Sequence, residues 1–517
     1  MTRAGTPAVG QRREQLPSTN RGWSSGMFAT EDWWAVWIGL GLFALSLVSL
    51  AGLDLVGWMA RPRPWEWTDL AGAFAWGKLF APAGAGYASW HALASFATTY
   101  AVFTALFALG ARSLRLDIRR FVLGFTVLFL VTWAAWIIGN ELHLTMVDAT
   151  VDGRNRYRDA RLSWGLQLGE GAPYLLALLA GLVLGNFGKA FAAKHLGEAA
   201  RPEWYIKTAI VFLGVNLGAQ TLDASGFAVE LILTGAAATF VAYLFFWPIV
   251  YALARRVFGF KRDVSAVLAS GISVCGASAA IATAGAIRAK PIIPVTISMV
   301  VVIFAMIELI VLPGLYTTFL PDQPIVNGAA LGMTVKTDGA DAAAGALLDE
   351  LMIARNLQLT GQRWQDGWIL SASLLTKIWI DVFIGVWSFV LAIVWIRKVE
   401  RRGDAVRVGA MEIWFRFPKF VLGYFVAWAA FFGIASAWPA LAATLDQGTA
   451  VVAGPMRTML FMLTFVAMGA ITDFSKLKGL GKIALLYGLA LVVVIAPIAY
   501  VVAYLFHRGL TPPLVAP

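Results

Sequence analysis

The sequence contains a single cysteine, Cys275, and only four histidines. One cysteine excludes an intrachain disulfide and a cysteine-based zinc site. The histidines show no metal-ligand spacing, so we interpret them as interface or loop residues and expect no metal and no cofactor. Charged residues are also scarce, at 14% of the chain, where a soluble domain carries about 25%. This scarcity of charge excludes an ordinary soluble domain.

Apolar and aromatic residues are in excess. The chain is 59% hydrophobic with 22 Trp and a mean hydropathy of +0.72, and Trp collects at membrane interfaces. This composition predicts an all-α polytopic membrane protein. The first thirty residues are polar, so we expect no cleavable signal peptide. The net charge of +11 lies in short loops between apolar segments, which argues against nucleic acid as a partner.

Apolar runs of about 20 residues predict the membrane spans. A weaker candidate at 340–358 carries Asp341, Asp349 and Glu350. The firm candidates lie near 32–53, 91–111, 121–140, 172–188, 205–222, 226–254, 264–287, 292–318, 368–396, 415–438, 455–473 and 481–506.

Basic loops predict the orientation, because cytoplasmic loops collect Lys and Arg. The five basic loops fall on one side only if 340–358 also crosses. We therefore predict about 13 transmembrane helices in a bacterial inner membrane, with the N-terminus cytoplasmic and the C-terminus outside. The loops contain Arg112–Arg120, Lys189–Lys207, Arg255–Arg262, Arg397–Arg416 and Lys476–Lys482.

The predicted spans divide into three additional helices and a core of ten. Ten spans form two repeats of five, and an odd repeat makes the second copy inverted. The fourth span of each repeat, 264–287 and 455–473, is rich in small residues, which predicts two discontinuous crossing helices. The predicted organisation is a polar tail (1–31), three additional transmembrane helices (32–140), an extracytoplasmic loop (141–171), a first core repeat (172–318), a connecting loop (319–339), a second core repeat (340–506) and a C-terminal tail (507–517).

The stretch Val264–Ile287 has no charge and consists largely of Gly, Ala, Ser and Thr. Its glycines permit the helix to open, and the exposed amides and serine hydroxyls could then hold an anion. The alternative is a close helix-packing face, which favours the same residues. The lone cysteine is either a reactive thiol or a small apolar filler. The predicted substrate-binding residues here are Gly271, Ser273, Cys275, Gly276, Ala277 and Ser278.

Lys377 and Asp381 lie four residues apart in an apolar run, on one face of a helix. Charge inside a membrane is costly and tends to be functional, although a structural ion pair near the membrane edge would use the same residues. We predict that Lys377 attracts the substrate. The further candidates are Gly469 and Thr472 for the substrate and Asp349, Glu350 and Asp381 for a coupling H⁺ or Na⁺.

The segment Gly271-Ile272-Ser273-Val274-Cys275-Gly276-Ala277-Ser278-Ala279 resembles the G-x-x-I-C-G-x-S-A signature of the YeiH-like sulfate exporter family. The resemblance begins near Gly171, so the first three spans are an addition to the family core. It implies a fold related to sodium/proton antiporters and bile-acid symporters, and the transport of anions. The sequence departs from the family at Leu348, where a His is common, and at Ile380, which replaces an Arg. Agreement extends to Gly185-Asn186, Lys207–Gly214, Lys377, Ala467–Gly469 and Thr472–Phe474.

These patterns predict a secondary active transporter, an exporter rather than an enzyme, that moves a small anion such as sulfate, sulfite or an organosulfonate by alternating access. The alternatives are a cation/proton antiporter driven by the carboxylates, a membrane enzyme acting on lipid-linked substrates, or a channel. The expected partners are the anion and the lipid bilayer, with a homodimer as the expected assembly and no nucleic acid.

Overall fold

The computed structural model describes most of the chain. The N-terminal 25 residues, which make up most of the predicted polar tail, lie outside the described residues, as does the basic loop at 395–417. The described residues are 26–67, 69, 73, 78–79, 88–89, 92–151, 154–160, 162–287, 289–290, 292–394, 418–475 and 481–515.

The described chain is mainly helical, with one antiparallel pair of two-residue strands, β1 (Lys78–Leu79) and β2 (Ala88–Ser89). The helix α8 contains one non-helical residue, Ala224, and is therefore divided into two arms. The helices are α1 (Glu31–Leu47), α2 (Ala92–Ser113), α3 (Ile118–Gly139), α4 (Leu142–Thr145), α5 (Arg156–Asp159), α6 (Ala172–Asn186), α7 (Lys189–His195), α8 (Pro202–Ala252), α9 (Arg262–Ser273), α10 (Ala277–Ala286), α11 (Ile292–Phe319), α12 (Pro324–Thr334), α13 (Asp338–Thr360), α14 (Trp368–Val394), α15 (Lys419–Ala437), α16 (Ala442–Val451), α17 (Arg457–Ile471), α18 (Gly481–Ala490) and α19 (Ala496–His507).

Membrane spans are evident from helix length and hydropathy. Among the described residues, 8 helices are long and apolar enough to cross a membrane, or up to 9 if the bent pair at 169–195 is one span. The N-terminal helices join the core: α1 packs on α8 and α15, and α3 packs on α6. Trp204 at the start of α8 is fully buried and meets Phe107 of α2 edge-to-face at 5.0 Å.

The helices α9 and α10 fold back on each other and form the first hairpin, Arg262–Ala286. The hydroxyl of Thr283 donates to the hydroxyl oxygen of Ser270 at 2.8 Å. A Cβ placed on Gly271 would lie 3.5 Å from the Cβ of Ala280. In a continuous helix, Ser270 and Thr283 would stand about 20 Å apart along the axis. The two halves therefore run in opposite directions.

The helix α12 lies parallel to α14 with almost no gap between them. A Cβ on Gly328 would meet the carbonyl oxygen of Ile369 at 2.4 Å, and one on Gly332 would meet that of Ser373 at 2.1 Å. Both residue numbers rise together along this contact, so the two helices point the same way. Only glycine permits backbones to approach so closely.

The helix α13 runs against α14 in the opposite direction. The hydroxyl of Ser373 donates to Oδ1 of Asp341 at 2.7 Å, whereas a Cβ on Gly345, one turn later in α13, would contact Leu370, nearly one turn earlier in α14. Because α12 is parallel and α13 antiparallel to α14, the pair α12–α13 is a second hairpin, Pro324–Thr360.

These hairpins correct three expectations. The segment 264–287 is interrupted as predicted, but its two halves fold back on each other. The second interruption lies in the predicted connecting loop 319–339, which forms α12 and the turn that follows it, so 340–358 is one arm of a hairpin. In contrast, α17 runs without a break from Arg457 to Ile471. The second interruption could not be found from apolar runs, because α12 is only 11 residues long and a membrane span needs about 20.

Candidate functional site

The tip of the first hairpin is the turn Val274–Gly276. Gly276 has φ 60° and ψ −114°, a backbone conformation that favours glycine. A Cβ at this position would stand 2.4 Å from Cγ1 of Val301 and 2.8 Å from the carbonyl oxygen of Lys336. Lys336 lies in the turn of the second hairpin, so the two tips pack directly on each other.

Lys377 of α14 joins the two tips. Its Nζ atom lies 3.5 Å from the carbonyl oxygen of Val274 in the first tip and 3.8 Å from Oδ1 of Asp338 in the second. The side chain of Lys377 is 3% exposed and that of Asp338 is 20% exposed. A buried ammonium group is therefore held between two interrupted helices, beside a partly exposed carboxylate.

Asp381 lies one turn beyond Lys377 and is buried. Neither of its carboxylate oxygens has a hydrogen-bond partner of ordinary geometry in the described part of the chain. Its electrostatic neighbours are Asp338, Lys377 and Cys275. The predicted pair Lys377–Asp381 thus lies at the meeting point of the hairpins, together with the predicted signature cysteine.

Sequence reasoning missed two further charged side chains at this site. Lys336 is fully buried, donates to the carbonyl of Met333 and lies 5.0 Å from the ring centroid of Phe246. Glu308 of α11 accepts from the hydroxyl of Tyr487 at 3.3 Å, while its Oε2 is buried without a partner in the described chain. The available signal was a lone glutamate in a long apolar run, which inside a membrane indicates function.

The second tip is also tied to the start of α8. The amide of Gly339 donates to Oε1 of Glu203 at 3.2 Å. Lys207, one turn along α8, lies 3.6 Å from Glu203 and 2.8 Å from Asp32 of α1. The N-terminal helices are thereby connected to the hairpin by a chain of charges, and the first amides of α13 are already occupied.

The signature residues of the first hairpin have different surroundings. Ser273 and Gly271 are buried on α9, and the hydroxyl of Ser273 has no partner in the described chain. Ser278 is exposed on the first turn of α10. Ala277 begins α10, but its side chain lies outside the described residues. The opening turn of α10 therefore combines a glycine turn, an accessible hydroxyl and helix N-terminal amides.

The other predicted ion-coupling residues lie in the middle of α13, about three turns from the second tip. Asp349 accepts from the amides of Gly367 (2.7 Å), Ile369 (3.0 Å) and Leu370 (3.2 Å). It thus caps the start of α14, a structural task that occupies its carboxylate. Glu350, the next residue, is buried. The structure does not bring this pair to the hairpin tips.

Gly469 and Thr472 contact α6 rather than the hairpins. A Cβ on Gly469 would lie 2.5 Å from the amide nitrogen of Leu182, and the carbonyl of Thr472 accepts from Asn186 at 3.1 Å. Just beyond α17, Lys189 donates to Asp473 at 2.6 Å. The hydrogen bonds from Lys189 and Ser475 lower the pKa of Asp473 to about 2.

No group of three or more His, Cys, Asp or Glu side chains among the described residues could hold a metal ion. The long apolar helices and the hairpins define the class: a polytopic helical membrane protein in which a cluster of buried charges lies where two interrupted helices meet.

The chain belongs to the UPF0324 membrane protein family. The family model described as "Conserved hypothetical protein 698" matches residues 165–488. A UPF0324 membrane protein of Nitrosomonas europaea is 58% identical over 501 residues, which cover 96% of this chain and 100% of that protein. One of Rhodopirellula baltica is 35% identical over 358 residues, covering 66% of this chain and 59% of its own length.

Another relative is shorter. An uncharacterized protein of Archaeoglobus fulgidus is 42% identical over 163 residues, covering 28% of this chain and 87% of that protein. No solved structure matches the chain significantly. The names of these relatives state no substrate, so the narrower resemblance to YeiH-like sulfate exporters stays a prediction.

Proposed function

We propose that the protein is a secondary active transporter of a small anion, such as sulfate, sulfite or an organosulfonate, working by alternating access. The observation that carries the proposal is the meeting of two hairpin tips at the buried side chain of Lys377. Irregular backbone within a membrane is tolerated only where protein or a polar cavity surrounds it. Transporters use such interrupted helices to hold solutes.

The anion would bind at the first tip. The opening amides of an α-helix lack intrahelical partners and carry the positive end of its dipole, and α10 begins there beside the exposed Ser278. The corresponding amides of α13 are less available, because Glu203 accepts from Gly339. Lys377 would add a full positive charge at the same point.

The hairpins would enter from opposite faces of the membrane. The first is flanked by the exposed residues Lys261 and Lys290, whereas the second is flanked by exposed Asp322 on one side and by Gln362 and Arg363 on the other, with no net charge. The helix α11 connects the two and is long enough to cross. Basic flanks place the first entrance on the cytoplasmic side, so the second entrance lies outside.

This topology places all five basic loops on one side of the membrane, and it does so without the crossing predicted at 340–358. The crossings are α1, α2, α3, α6, both arms of α8, α11, α14, α15, α16 with α17, and α18 with α19. With an N-terminus in the cytoplasm of a bacterial cell, all five basic loops face inward. Each hairpin with the helix that follows it, α11 or α14, forms an inverted pair that is smaller than the predicted repeat of five.

A cation/proton antiporter is the second candidate. The unpartnered carboxylate oxygens of Asp381 favour it, because an unpartnered buried carboxylate binds protons or cations. An antiporter of this kind would exchange cations in vesicles that contain no transportable anion.

Flux in proteoliposomes tests the proposal. Labelled sulfate, sulfite and methanesulfonate are offered to the parent, to Lys377→Ala and to Lys194→Ala, a matched control at an exposed lysine. The parent and the control should transport at least one of these anions at similar rates, and Lys377→Ala should lose at least tenfold. Parent-like flux in Lys377→Ala, or cation exchange without anions, would contradict the proposal.

A further inference from the structure

The charged groups at the hairpin tips do not balance. Two lysines, Lys336 and Lys377, interact electrostatically with each other and with the carboxylates at the tips. Four carboxylates take part, so two negative charges would remain if every group were ionised, since Glu203 and Lys207, which also act on Asp338, carry opposite charges that cancel. The four are Glu308, Asp338, Asp341 and Asp381.

Three of these carboxylates each have at least one oxygen without a well-placed hydrogen-bond donor. Both oxygens of Asp381, Oδ2 of Asp341 and Oε2 of Glu308 are buried without a hydrogen-bond partner of ordinary geometry among the described residues, and the side chains that approach Asp381 are the Asp338 carboxyl and the Cys275 thiol. A buried carboxylate oxygen with no donor is poorly stabilised as an anion and well placed to carry a proton. The excess of negative charge thus coincides with the oxygens that the protein leaves unpaired.

An incoming anion would meet this excess at close range. Asp381 and Asp338 are electrostatic neighbours of each other, of Lys377 and of Cys275 at the first tip. A sulfate dianion beside them would add like charge in a region of low dielectric, where repulsion is strong. The attraction of Lys377 is already shared with these two carboxylates, so the anion needs further positive charge.

We propose that the site is filled by the anion together with protons, which makes the protein a proton–anion symporter in which Asp381 is the principal proton acceptor. This inference rests on the proposed anion transport and identifies its coupling ion. A proton binds a carboxylate oxygen of Asp381, which frees Lys377 for the anion, and it leaves from the same oxygen after the tips have opened to the other face.

Protons fit the geometry better than a bound metal cation. The unpaired oxygens lie on three different helices, α11, α13 and α14, and no described group of three or more acidic, His or Cys side chains could hold a metal ion. Single carboxylates can each take one proton, whereas a cation needs several oxygens at once. Other titratable or charged groups face this cluster: Cys275 of the first tip, Glu203, Lys207 and Tyr243 of α8, Tyr316 of α11, and Tyr487 of α18.

Symport also predicts a direction. A bacterial proton gradient is directed inward, so coupled protons would drive uptake of the anion. That direction is opposite to the export expected from the family resemblance.

Reconstituted full-length protein tests the coupling. Vesicles in sodium-free choline buffer receive labelled sulfate, sulfite or methanesulfonate under an inward proton gradient, with the membrane potential clamped by potassium and valinomycin. We expect accumulation above the equilibrium level, lost at least tenfold when a protonophore is added. Asp381→Asn should lose this accumulation and keep anion exchange between the two sides, because its amide mimics the protonated acid.

Asp349→Asn is the matched control, because Asp349 caps α14 away from the tips, and it should still accumulate the anion. Anion flux that ignores the pH gradient, that requires Na⁺, or that stays proton-driven in Asp381→Asn would overturn the symport inference while leaving anion transport intact. Absence of anion flux from a folded parent under every gradient would overturn the proposed function as well.

Discussion

The Nζ atom of Lys377 lies 3.8 Å from Oδ1 of Asp338. These residues belong to different elements, the helix α14 and the tip of the second hairpin, and the same ammonium group reaches the carbonyl oxygen of Val274 in the first tip. Movement of either hairpin must therefore change the surroundings of one buried charge. In the proposed transporter, this relationship would couple solute binding to rearrangement of the hairpins.

Gly276 tests the packing of the two tips. Gly276→Ala should reduce transport at least tenfold and destabilise the protein by about 1–3 kcal/mol, because the residue has positive φ and a Cβ would clash with Val301 and with the Lys336 carbonyl. Gly285→Ala is the control in the same hairpin, where a Cβ meets nothing within 4 Å. Thermal unfolding in detergent and vesicle flux report the two effects, and equal behaviour of the two variants would refute the tip contact.

Lys377 and Asp381 should be coupled in stability. Lys377→Met leaves the buried Asp381 without its main positive neighbour, and breaking a buried pair costs about 3–5 kcal/mol. The double variant with Asp381→Asn removes both charges and should recover much of that loss, although it should not transport. Thermal unfolding of the parent, both single variants and the double variant measures the coupling. A double variant as unstable as Lys377→Met would show that the two charges are independent.

Asp349 should act on stability rather than on ion coupling. Asp349→Asn replaces one of the two accepting oxygens with an amide group, so at least one of the three amides at the start of α14 loses its partner, which is expected to cost about 1–3 kcal/mol. The proton dependence of transport should stay unchanged. A shift of the pH profile of flux in this variant, with little change in thermal midpoint, would return Asp349 to the coupling site.

Asp473 provides a pH test outside the membrane segments. Its pKa in the folded protein is about 2, below the ordinary 3.8, because of hydrogen bonds from Lys189 and Ser475. A lowered pKa stabilises the folded state above pH 4, and this contribution is lost as the pH falls toward 2. Asp473→Asn should therefore unfold at a lower temperature than the parent at pH 5 to 7, and the two midpoints should converge near pH 2. A difference that persists at pH 2 would contradict the assignment.

Local sequence predicted much of the site. The uncharged, small-residue stretch around Gly276 identified the first interruption, and Lys377 was identified from its position in an apolar run. The structure shows the interruption at Gly276 and buries Lys377 beside it. Both features depend on short-range physics, because glycine permits a positive φ and a lysine inside a membrane tends to be paired.

The hairpins could not be predicted in the same way. A return of the chain depends on long-range contacts, such as that between Ser270 and Thr283, and an interrupted crossing helix would have the same composition. In the second hairpin, the charges of Lys336 and Asp338 favoured a connecting loop outside the membrane. Their place beside α14 follows only from the packing of α12 on α14. The charge excess at the tips likewise requires Glu308 to be placed beside residues from other helices.

The most direct test of the account is the sidedness of the hairpin flanks. In a Cys275→Ser background, single cysteines replace the exposed residues Lys261, Lys290, Asp322 and Gln362, and a membrane-impermeant maleimide is applied to inside-out and right-side-out vesicles. The account predicts that positions 261 and 290 label only from the cytoplasmic face, and positions 322 and 362 only from the opposite face. Labelling of 261 and 290 from opposite faces would show that the segment crosses the membrane and would contradict the meeting of two hairpins at Lys377.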